Sequence, residues 1–138
     1  MMPAHVYEII RLIGAGIVGG LIASYATHRL TLSRERASGI RNRRRDFRAF
    51  VVQFRSEAAD RHHPDIKYFV KFYRDKIPNL RHAAATIADD FPRQRRVKFD
   101  ELVSAASSAF TAKQASETDG RKHVIDSLDA ILRFLDNA

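Results

Sequence analysis

The chain has 138 residues, a formal net charge of +8 and no cysteine. These residues hold one modest core plus one appended element and leave no room for a two-domain enzyme, while the missing thiols exclude disulfide frameworks, thiolate zinc sites and thiol nucleophiles. A positive excess fits nucleic acid, anionic lipid or membrane topology, so its placement along the chain decides among them.

The first predicted element is a membrane span. From Leu12 to Thr27 the sequence LIGAGIVGGLIASYAT has no ionisable group except the Tyr25 phenol. Carried through His28, such a helix is about 25 Å long, against a hydrocarbon core of roughly 30 Å. Val6, Tyr7, Ile9 and Ile10 extend the apolar surface on one side, Leu30 and Leu32 on the other, and Arg11 reaches the headgroups along its aliphatic stem. A buried core helix is one alternative, but the small and aliphatic residues occupy every face, without the polar stripe of an amphipathic helix. A cleaved signal peptide is the other alternative, because Ser24-Tyr25-Ala26 fits the small-residue rule at a cleavage site. Its positive region should precede the apolar stretch, however. Here Glu8 offsets Arg11 and the arginines follow, so residues 1–28 are expected to be a tail and a single, uncleaved signal-anchor helix.

Residues 29–46 are a basic juxtamembrane segment. Between His28 and Arg48 stand eight arginines against two acids, whereas only Arg11 is basic upstream. By the positive-inside rule the arginine-rich flank stays cytoplasmic, which predicts a cell (inner) membrane protein with its N-terminus outside. Arg29, Arg34 and Arg36 are expected to contact lipid headgroups. Arg41, Arg43, Arg44 and Arg45 lie roughly 20 to 25 Å further along a helix, beyond a Debye length of about 8 Å, and reach lipid only if the chain bends near Gly39.

Within the span, Gly16, Gly20 and Ser24 form one row at intervals of four, and Ala15, Gly19 and Ala23 form the row beside it. Small residues at this spacing let backbones approach closely, and they supply a face for parallel homodimerisation. The competing explanation is that glycine and alanine are common in membrane helices. A heptad reading through Leu30, Ala37 and Arg44 would continue such a dimer as a coiled coil, although an arginine in the seam weighs against it.

Residues 47–138 are expected to form a cytoplasmic helical domain. The first helix runs to about Asp60 with Ile40, Phe47, Val51, Phe54 and Ala58 as its buried stripe. Pro64 opens a second helix lined by Ile66, Phe69, Val70, Tyr73 and Ile77, which Pro78 ends or kinks. Leu80 to Ile87 line a third that stops before Pro92, and Phe99, Leu102, Val103, Ala106 and Phe110 line a fourth, entered through Arg93, Arg95, Arg96 and Lys98. Residues 111–120 read as a polar loop, with Ser116 or Thr118 capping a last helix through Val124, Leu128, Ile131 and Leu135. No segment alternates with a period of two. The fold class is therefore all-α, a transmembrane helix continuing into a bundle of four to five helices.

Chemistry is represented only by fragments. His62, His63 and Asp65, with His82, Asp89 and Asp90, match no metal spacing, and neighbouring positions on a helix point apart. The four closely spaced glycines lie inside the apolar span, where phosphate cannot reach them. No catalytic residue, cofactor or metal is assigned. Arginines beside Phe47, Phe50 and Phe99 suggest nucleic acid, but those rings sit on the predicted core stripe, which disfavours it. The sequence thus points to a membrane-anchored interaction or adaptor protein with a protein partner, and next to a basic module recruiting nucleic acid or anionic lipid.

Overall fold

The computed structural model describes residues 4–60, 66–110 and 117–138. They form four helices, α1 (Ala4–Ala59), α2 (Ile66–Ala88), α3 (Arg93–Ser108) and α4 (Glu117–Asp136), with no strand among the described residues. The chain divides after Gly39 into two compact units, Met1–Gly39 and Ile40–Ala138.

The described residues of the first unit are helix alone. Its large apolar side chains, from Tyr7 through Leu12, Ile17 and Leu21 to Leu30, are all exposed, and no part of its apolar window is buried against the rest of the chain. α1 is the one helix among the described residues long and apolar enough to cross a membrane. Two hydroxyls on it bond back to the helix: the Thr27 hydroxyl donates to the Ala23 carbonyl at 2.8 Å and Thr31 to the Thr27 carbonyl at 3.0 Å. Back-bonding of this kind is how a hydroxyl is accommodated without water.

The second unit has a true core. Phe47, Val51, Phe54 and Ala58 of α1 are buried at intervals of four, three and four, so this stripe packs onto the chain's own later helices. α2 contributes Phe69, Tyr73, Ile77, Leu80, Ala84 and Ile87, α3 contributes Phe99, Val103 and Ala106, and α4 contributes Val124, Leu128 and Ile131. No polar or charged side chain is fully buried among the described residues. Aromatic rings fill two regions. Phe99 meets Phe47, Phe91 and Phe134 at centroid distances of 5.6, 5.0 and 5.8 Å; Phe69 and Tyr73 meet Phe110 at 5.4 and 5.8 Å. The Tyr73 hydroxyl donates to the Ala106 carbonyl at 2.6 Å, tying α2 to α3, and burial pushes its phenol pKa up.

Two boundaries differ from the sequence expectation. Pro78 neither ends α2 nor splits it, so the expected second and third helices are one. Its ring removes the N–H that would bond to the Arg74 carbonyl, but Pro78 is exposed, where water can serve that carbonyl, and the core stripe continues past it through Leu80, Ala84 and Ile87. α4 starts at Glu117, so residues 117–120 are helical and Thr118 lies within the helix rather than capping it; Ser116 is outside the described residues. Gly120 is buried in the first turn of α4. The turn between α2 and α3 is tight: Asp90 N–H donates to the Ile87 carbonyl and Phe91 N–H to the Ala88 carbonyl, at 3.0 and 3.3 Å. Pro92 then holds the N-cap position of α3 without a side-chain cap.

Candidate functional site

The basic residues singled out in the sequence have separate fates. Arg29 stacks over the Tyr25 ring at 5.5 Å, and Arg34 and Arg36 are exposed on the same unit. In the second unit, Arg43 grips the α2–α3 turn: its Nε and Nη2 donate to the two carboxylate oxygens of Asp90 at 3.1 and 2.7 Å. Arg44 donates to the Asp90 carbonyl at 2.8 Å and lies over the Phe91 ring at 4.4 Å. Its Nε is buried without a hydrogen-bond partner, so the ring face and the single carbonyl hold the guanidinium. An arginine on the apolar stripe of α1 is therefore a bracket for the turn. The structure brings Arg43 and Arg44 together on Asp90; Arg41 and Arg45 are exposed and make no ion pair with the described residues.

Other arginines brace α1 against α4. Arg48 donates to Asp136 at 2.9 Å and Arg55 forms a two-point pair with Asp129, and these carboxylates raise both guanidinium pKa values. Lys76 of α2 pairs with Glu57 at 2.9 Å and, by that hydrogen bond first, lowers the Glu57 carboxyl pKa. These pairs are not equivalent. The Asp90 side chain is only 9% exposed, whereas Asp136 is 53% exposed, and a screened surface pair contributes little. Asp90→Ala is expected to lower the melting temperature clearly more than Asp136→Ala, measured by circular dichroism on the detergent-solubilised chain. Equal effects would mean that the turn is held by packing alone.

The small-residue rows are open. A Cβ added at Gly16, Gly19 or Gly20 would meet nothing within 4 Å, and Ala15, Ala23 and Ser24 are exposed beside them. Of the histidine and acid fragments, His62, His63 and Asp65 lie outside the described residues. His82 is exposed, Asp90 is occupied by Arg43, and Asp89 is engaged by Arg96. No group of three or more potential metal ligands is assembled among the described residues.

What sequence reasoning missed is a groove between α2 and α3. One cavity of about 300 Å³ is lined by Arg81, Ala84, Asp100, Val103 and Ser104. The next, of about 270 Å³, is lined by Val70, Tyr73, Arg74, Ile77 and Phe110. Both include Ser107, so they adjoin along the same helix pair. The available signal was the run of cations along the outer side of α2, where Lys67, Lys71, Arg74 and Arg81 recur at intervals of four, three and seven. No known protein family, curated protein or solved structure matches the chain.

Proposed function

We propose that the chain is a single-pass membrane-anchored adaptor, with its N-terminus outside and the Ile40–Ala138 body in the cytoplasm, where it holds a protein partner and does no catalysis. The observation that carries this is the contrast between the two units. One is a helix whose apolar window is nowhere buried by the described residues, followed directly by arginines; the other has its own aromatic core. Leaving so much apolar surface in water is unfavourable at roughly 25 cal/mol per Å², and a bilayer removes that penalty. The rows Ala15, Gly19, Ala23 and Gly16, Gly20, Ser24 are the face on which two copies would meet in the membrane.

The adaptor role is tested by crosslinking in native membranes from a photoreactive residue at Arg96, with the products identified by mass spectrometry. A discrete protein partner is the expected product. Capture of lipid or nucleic acid alone would overturn the adaptor role. It would promote a basic recruiting module, a second reading supported by the exposed Arg41 and Arg45, which make no ion pair with the described residues. Under that alternative, binding of an oligonucleotide or of anionic vesicles to the full chain would weaken steeply with salt and on charge reversal at those two positions.

A further inference from the structure

We propose that the α2–α3 groove is a docking site for an acidic amphipathic helix of another protein. The proposal names the partner chemistry of the adaptor and rests on that role.

Shape comes first. The two adjoining cavities follow α2 from Val70 to Ala85, a distance of roughly 22 Å along the helix, which matches about four turns of a docked helix. The floor is apolar and recessed: Tyr73 is 6% exposed, and Ile77 and Val103 are each 9% exposed. Such a floor takes side chains spaced three and four apart on a partner helix. Phe110 lines the cavity that holds Tyr73, and Ser104 and Ser107 line the α3 wall.

Charge selects the occupant. α2 carries five lysines and arginines against one aspartate, whereas α4 carries five acids against three cations. Lys71, Arg74 and Arg81 are exposed and make no ion pair with the described residues, and Arg74 and Arg81 line the groove itself. Lys76, by contrast, is turned to α1, where it pairs with Glu57. One acid stands on the opposite wall, Asp100, and it faces Arg96 at 3.9 Å. A rim of unspent cations above an apolar floor is complementary to a helix with leucine-like residues on one face and carboxylates flanking them. A lipid surface or a nucleic acid would satisfy the cationic crest but leave the recessed floor empty.

The test pans a displayed random peptide library against the full chain in nanodiscs, after subtraction on empty nanodiscs. Enriched peptides are expected to place Leu, Ile or Phe at helical spacing between Asp and Glu. Their affinity for the full chain should fall about tenfold or more with Arg74→Glu/Arg81→Glu and comparably with Ser104→Trp, which fills the groove without changing charge. Ser104 is exposed, so the fold is expected to survive, and circular dichroism checks that. Enrichment of no peptide, enrichment of basic peptides, or affinity lost with the arginine pair but kept with Ser104→Trp would each overturn the groove proposal. None of these results bears on membrane anchoring or on the crosslinked partner, so failure of the groove and failure of the adaptor role are read separately.

Discussion

Leu21→Asp is expected to release the chain from the membrane. Leu21 lies near the middle of the apolar segment and is 66% exposed in the absence of a bilayer. By helical register it lies away from the face formed by Ala15, Gly16, Gly19, Gly20, Ala23 and Ser24, so the substitution addresses insertion rather than pairing. Exchanging leucine for aspartate at mid-helix costs about 3 to 4 kcal/mol of insertion free energy, roughly two orders of magnitude or more in the equilibrium. Leu21 stands nine residues after Leu12 and seven before His28, so an aspartate there is far from either headgroup region. The readout is the fraction of protein resisting alkaline extraction from membranes. The parent should be retained and Leu21→Asp largely released; equal retention would show that this helix does not insert.

Phe99→Ala should have the largest effect on the body. Phe99 is fully buried, and its ring is the meeting point of Phe47 from α1, Phe91 from the α2–α3 turn and Phe134 from α4. Truncation removes a whole ring and leaves a cavity that three neighbours on three elements cannot all collapse into. A loss of about 3 to 5 kcal/mol is expected, out of a total stability of about 5 to 15 for a small domain. The control is Val97→Ala on the same helix: Val97 is 56% exposed, and its truncation should change stability by less than about 0.5 kcal/mol. Chemical denaturation followed by circular dichroism separates the two. If Phe99→Ala and Val97→Ala unfolded at the same denaturant concentration, the aromatic hub would not be the core of this unit.

The parts legible in the sequence are those set by local periodicity. Phe47, Val51, Phe54 and Ala58 announce their burial by spacing alone, as do Phe99, Val103 and Ala106. Pro78 misled because proline is a strong local signal against a helix interior. The stronger signal was the stripe through Tyr73, Ile77, Leu80, Ala84 and Ile87, which continues unbroken past an exposed Pro78 that lines the α2–α3 groove. The Asp-Gly pair misled in the same way, since Gly120 sits buried inside α4 rather than in a turn.

What sequence could not supply is pairing at a distance. Nothing near Arg43 and Arg44 indicates that Asp90, more than forty positions on, receives both of them. Arg44 did break the apolar stripe of α1, and a lone arginine there is a sign that a carbonyl or ring elsewhere must be receiving it. The groove has the same origin: Arg74 and Ser107 are unrelated in sequence and become two walls only when α2 packs on α3.

Because the chain has no cysteine, single cysteines can be placed without background, and labelling them in intact cells with a membrane-impermeant maleimide tests the anchored topology most directly. Ala4→Cys is expected to react in intact cells, and a cysteine replacing Ala85, which is exposed on α2, only after the membrane is permeabilised. Labelling of Ala85→Cys in intact cells, or protection of both positions until permeabilisation, would contradict that topology.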